Sequence, residues 1–73
     1  MKIYNIGIIG CGSIAAKMAA TLGGMKGVKR YAVASRTVEK AKAFAEKWQF
    51  AKAYGSYEEL ASDAEVDLIY IAT

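Results

Sequence analysis

The sequence predicts an α/β fold with a doubly wound parallel sheet, and three observations carry that prediction. Apolar segments of strand length alternate with segments of helical period, giving the order β-α-β-α-β-α-β. The links between them are short, which argues for parallel strands joined by right-handed crossovers in the order 3-2-1-4. Between the first strand and the first helix stand Gly10 and Gly12, followed by the small residue Ala15. That spacing fits the G-x-G-x-x-G/A dinucleotide fingerprint of a Rossmann-type fold.

The first strand is expected over Ile3-Tyr4-Asn5-Ile6-Gly7-Ile8-Ile9, nearly unbroken in apolar residues as befits a strand covered on both faces. In the turn after it, Gly10 makes the bend, Gly12 lets a phosphate approach bare backbone, and Ala15 lets the helix pack close to the strand. Free N–H groups and the positive dipole end at the start of that helix face the anion without a basic side chain. The helix itself is read from Ile14, Met18 and Leu22 at i, i+4 and i+8, with Ala15 and Ala19 beside them on a narrow inner face.

Gly23, Gly24 and Gly27 stop the first helix. A second strand follows over Lys29 to Ser35, with Tyr31, Ala32, Val33 and Ala34 as its buried part. Thr37 is placed to cap a second helix whose Ala41, Phe44, Ala45 and Trp48 form one buried face, while Lys40, Lys42, Glu46 and Lys47 take its solvated sides. Phe50 to Tyr54 is the third strand candidate. Ser56-Tyr57-Glu58-Glu59 has the form of a capping box, with Leu60, Ala61 and Ala64 as the inner face of a short third helix. Asp67 opens the last strand, which runs to Thr73. The first two helices are expected on one face of the sheet and the third on the other, so the edge formed by Asp67 to Thr73 lacks cover and favours association with another chain.

Composition sets outer bounds. The 73 residues are fewer than the roughly 100–150 of an ordinary domain, and they hold four strands where a doubly wound nucleotide domain has about six. The chain is therefore expected to be the amino-terminal portion of a dinucleotide-binding domain. A net charge of +3, with Lys and Arg spread along the chain, does not supply the clustered charge of a nucleic-acid surface. No apolar run approaches the ~20 residues that span a bilayer, and because Met1-Lys2-Ile3-Tyr4 runs directly into the first strand without an apolar h-region, no secretory signal is expected. A single cysteine fits a reducing cytoplasm, the expected compartment. Cys11 lies inside the glycine loop as a small residue lining the cradle, and a nucleophilic role lacks a partner base because the chain has no histidine. No metal site is expected.

The end of the second strand bears on the choice of nucleotide. An NAD-preferring site usually places Asp or Glu there, whereas this chain reads Ala34-Ser35-Arg36-Thr37. A hydroxyl and a guanidinium offer charge-assisted hydrogen bonds to a 2'-phosphate, the Arg plane can stack on adenine, and Lys40 lies one helical turn on from Arg36. NADP is favoured over NAD, which stays open as the alternative.

With these residues assembled, the chain resembles the N-terminal part of the Gfo/Idh/MocA oxidoreductases, over essentially its whole length. The likeness rests on Gly7 to Ala15, on Ala34-Ser35-Arg36 with Glu39-Lys40-Ala41, on Tyr54 to Leu60 and on Val66 to Thr73. It implies a two-domain enzyme whose C-terminal domain binds substrate and often forms a dimer interface, so a homo-oligomer is expected. It further implies hydride transfer between a nicotinamide cofactor and a sugar, polyol or related carbonyl compound. By the same resemblance Gly10, Gly12, Ser13 and Ile14 line the pyrophosphate, Ser35 and Arg36 the adenosine end, and Ala72 and Thr73 the nicotinamide side. The family's Glu-Lys-Pro motif, with its catalytic lysine, has no counterpart here, so no catalytic residue is assigned. A non-catalytic dinucleotide-sensing or regulatory protein of the same fold is the alternative.

Overall fold

A computed structural model describes residues 2–72. Four parallel strands, β1 (Tyr4–Ile9), β2 (Val28–Ala34), β3 (Lys52–Tyr54) and β4 (Leu68–Ile71), form one sheet in the order β3-β2-β1-β4. Helices α1 (Ser13–Gly23), α2 (Val38–Trp48) and α3 (Tyr57–Ala61) connect them. Topology and strand order match the sequence reading. The expected role of Thr73 falls outside the described residues.

The sheet divides the apolar side chains into two cores. On one face Ile6, Ile8 and Val33 pack with Ala15, Ala19 and Leu22 of α1 and Phe44 and Ala45 of α2. On the other, Ala32, Ala34 and Tyr31 pack with Leu60 of α3. The division turns on a register shift. Ile6 pairs with Arg30 but Gly7 pairs with Ala32, leaving Tyr31 as an extra residue in β2. A bulge resets the alternation of side chains, so Tyr31 joins Ala32 and Ala34 on the α3 face while Arg30 stays on the α1 face. There its Nη1 lies 3.4 Å from the carbonyl of Ala19.

Several local expectations need correction. Ile14 is 54% exposed and takes no part in the inner face of α1, which is Ala15, Ala19 and Leu22. The buried stripe runs at i, i+4 and i+7 from Ala15, and Ile14, one residue earlier on the helix, is turned about 100° off it. Thr37 occupies the N-cap position of α2, yet its side chain makes no capping bond. In α3 only Leu60 is buried; Ala61 and Ala64 are exposed because the helix ends after five residues. The third strand is confined to Lys52–Tyr54. Ser56 caps α3 as expected, accepting from the Glu59 N–H at 3.2 Å, but the Glu59 carboxylate accepts from the Ser56 hydroxyl, not from its backbone N–H.

The edge strand β4 is exposed along its length, with Leu68 at 58% and Ile71 at 68%, as the layout of the helices predicts.

Candidate functional site

The site lies where the carboxyl ends of the strands meet, and backbone hydrogen bonds draw its segments together. The N–H of Gly10 donates to the carbonyl of Ala34 at 2.8 Å, tying the turn after β1 to the end of β2. The N–H of Ala72 donates to the carbonyl of Ile9 at 2.9 Å, and that of Ser35 to the carbonyl of Tyr54 at 3.1 Å. Gly10, Ser35 and Ala72 are thereby brought together at the carboxyl ends of the strands.

Gly10 has φ 113°, a backbone conformation that L side chains rarely adopt, so the bend requires glycine. Gly12 is the N-cap of α1, in extended conformation, and its carbonyl accepts the Ala16 N–H at 3.0 Å. A Cβ built on Gly12 would meet no atom within 4 Å, so the surface above it is open. No side chain caps α1, and no acidic residue stands in its first turn. Its leading N–H groups and positive dipole end are thus available to an anion.

Around the turn, Cys11 is half-buried, and Ser13 and Ile14 are exposed. Burial pushes the Cys11 thiol up, against the smaller opposing pulls of a hydrogen bond with Ser35 and the charge of Lys40. A thiol so held is a weak nucleophile, in keeping with a lining role. Ser35 is itself buried. Arg36 is exposed and borders a hollow of about 320 Å³ whose other walls are Gly55, Ser56, Tyr57 and Glu58. Lys40 borders a separate groove of about 460 Å³ that begins at Gly12 and Ser13 and runs between α1 and α2.

Ala72, directly after β4, is buried. Arg36 and Lys40, read from the sequence as neighbours at the adenosine end, open onto different hollows. Sequence reasoning assigned Lys47 to a solvated side and Trp48 to the core. Both also line the α1–α2 groove, a placement that depends on how closely the two helices approach.

A glycine turn between a buried parallel strand and an uncapped helix, at the switch point of a 3-2-1-4 sheet, defines a dinucleotide-binding domain of the Rossmann class. More particularly, the chain belongs to the Gfo/Idh/MocA family, whose model, described as an oxidoreductase family with an NAD-binding Rossmann fold, matches residues 4–73. It is 44% identical over 69 residues to the trans-1,2-dihydrobenzene-1,2-diol dehydrogenase of Mus musculus, an alignment covering 92% of this chain and 21% of that enzyme. The structure of KijD10, a 3-ketoreductase from Actinomadura kijaniata, in complex with NADP superposes with a TM-score of 0.91 at 27% identity, covering 99% of this chain and 23% of the other. A levoglucosan dehydrogenase in complex with NADH shares the fold at a TM-score of 0.94 and 20% identity, covering 99% of this chain and 22% of the other. The chain thus spans about a fifth of the length of these relatives.

Proposed function

We propose that this chain is the amino-terminal part of the cofactor-binding half of an NADP-dependent oxidoreductase acting on a sugar, polyol, diol or related carbonyl compound. The observation that carries the choice of NADP is the end of β2: Ser35 and Arg36 stand there beside the glycine turn, in place of the carboxylate that would repel a 2'-phosphate. The NADP complex of the KijD10 ketoreductase and the diol substrate named for the mouse relative support this reading.

When bound, the nicotinamide ring supplies the carbon that gives or accepts the hydride. The residues of this chain hold the cofactor in place. The N–H groups of Ser13 and Ile14, at the open start of α1, would bond the diphosphate, with Gly10 and Gly12 leaving room for it and Cys11 lining its back. Ser35 and Arg36, with Lys40, would take the phosphorylated ribose, the guanidinium bonding phosphate oxygens in pairs. Ala72 would border the nicotinamide end. The group that moves a proton on the substrate oxygen stands elsewhere in the whole enzyme, as does the substrate-binding domain. This chain's contribution to rate is the positioning of one reactant.

Titration with NADPH and NADH at equal ionic strength tests the reading. Tighter binding of NADPH, reversed in Arg36→Asp, is expected. Equal or tighter binding of NADH would overturn the cofactor choice, and binding of neither would overturn the enzymatic reading.

A further inference from the structure

A cavity of about 460 Å³ lies at the amino ends of β2 and β3, at the opposite end of α1 from the glycine turn. The eleven residues of α1, about 16 Å of helix, separate the two places. Leu22, Val28 and Phe50 give the cavity apolar walls, and Met25, in the glycine-rich link after α1, stands beside them. Leu22 and Phe50 are themselves buried. An apolar hollow of this size with few polar groups has the form of a small-molecule site.

Its principal polar group is the guanidinium of Arg30, which the Tyr31 bulge leaves on the α1 face of β2. The group lies against the backbone of Gly23, where a Cβ would stand 2.9 Å from Nη1 and 3.3 Å from Cζ. Of its N–H donors, the one that meets a protein acceptor among the described residues is on Nη1, 3.4 Å from the Ala19 carbonyl. No acidic residue lines the cavity, and the ion pairs among the described residues belong to Lys2 with Asp67 and to Lys52 with Asp63. Arg30 therefore brings to an apolar hollow a charge and a fork of donors that no carboxylate of the chain takes up.

The surroundings also set the charge of what fits there. Both α1 and α2 end at the cavity, at Gly23 and at the cap residue Gln49, and the negative ends of their dipoles oppose a multiply charged anion. Lys29, which also lines the cavity, is exposed and adds attraction at longer range. The planar fork of Arg30 matches the two oxygens of a carboxylate, and the walls reward a hydrocarbon body. We infer that this cavity binds a small organic monocarboxylate, its carboxylate paired with Arg30 and its apolar body against Leu22, Val28 and Phe50. The site is independent of the dinucleotide and of the choice between NADP and NAD. A ligand in it would join the end of α1 to β2 and to the link before β3.

The test titrates the protein with hexanoate, with 1-hexanol, which has the chain without the charge, and with inorganic phosphate, which has the charge without the chain. Hexanoate should shift the amide signals of Gly23, Met25 and Ala51 saturably and bind about tenfold more tightly than 1-hexanol, as a charge-assisted pair requires. Arg30→Gln should abolish that advantage. Gly23→Ala, whose methyl displaces the guanidinium at the flexible end of its side chain, should reduce it while leaving 1-hexanol unchanged. Equal affinity for hexanoate and 1-hexanol in the unaltered protein, or no saturable shift at these residues, would overturn the inference and leave Arg30 as a cap of α1 only. Phosphate binding as tightly as hexanoate would overturn it as well.

Discussion

Asn5 and Asp67 clasp the first strand to the last. The Asn5 N–H donates to Asp67 Oδ2 at 2.8 Å, while the Asp67 N–H donates to the Asn5 carbonyl at 2.8 Å. The Asn5 side-chain amide adds a bond to the carbonyl of Glu65, also at 2.8 Å. This clasp sets the register that brings Ile9 opposite Ile71 and delivers Ala72 to the carboxyl ends of the strands. Asp67→Ala should cost about 1.5–3 kcal/mol, the range for losing a hydrogen bond to a charged acceptor. Amide exchange in β4 should rise with it, and a variant in which β4 exchanges no faster would contradict the role.

Close packing on the α3 face depends on Gly7. A Cβ there would lie 3.0 Å from Leu60 Cδ2 and 3.2 Å from Val66 Cγ1, tighter than ordinary contact. Gly7→Val should therefore destabilise the chain by about 1–3 kcal/mol through overpacking. Leu60→Ala, which empties the same contact from the other side, should cost about 2–5 kcal/mol. Denaturant melts of the two single variants and the double variant measure both, and strict additivity in the double would deny that the residues share one contact.

Gly10 carries a different constraint, since its φ of 113° is a matter of backbone and not of space. Gly10→Ala should lower stability by about 1–2 kcal/mol and weaken dinucleotide binding as the turn relaxes. Gly12→Ala tests the complementary point. With nothing within 4 Å of its Cβ position, it should melt near the unaltered chain yet lose dinucleotide affinity where the methyl meets the diphosphate. Melting curves alongside nucleotide titration separate the two effects.

A polar cluster beyond the α3 core makes stability depend on pH. The Tyr54 hydroxyl donates to Asp63 Oδ2 at 2.5 Å, and Lys52 lies 3.9 Å from the same oxygen and 5.6 Å from the Tyr31 ring centre. The hydrogen bond from Tyr54, followed by one from the Glu65 N–H, holds the Asp63 carboxyl below its ordinary 3.8. The same bond, with burial, raises the Tyr54 hydroxyl above its ordinary 10.0. A carboxyl lowered on folding stabilises above its unfolded pKa and loses that contribution as pH falls through its folded value. A phenol raised on folding stabilises below its unfolded pKa and loses that contribution as pH rises through its folded value. Asp63→Asn should therefore flatten the acid limb of a melting-temperature profile, and an unchanged acid limb would contradict the assignment.

Much of the fold was legible because period and punctuation agree. Ala41, Phe44 and Ala45 repeat at helical spacing, and the Gly10–Gly12 turn falls where a buried strand gives way to a helix, so element order and strand order follow. Ile14 misled because hydrophobicity does not distinguish a side chain facing the sheet from one at the open end of a helix. The Tyr31 bulge left no pattern in the sequence, since two adjacent apolar residues on one face look like an ordinary buried run. The α1–α2 groove was hidden for a related reason: Lys47 and Trp48 gain their meaning from Ala16 and Ala43, small residues on two helices brought together only by folding.

The most direct test of the account is the amide spectrum of the glycine turn during titration with NADPH. The N–H signals of Gly12, Ser13 and Ile14 should shift and their exchange should slow as nucleotide is added, because those groups bond the diphosphate. Shifts confined to residues away from this turn, or none at saturating nucleotide, would contradict it.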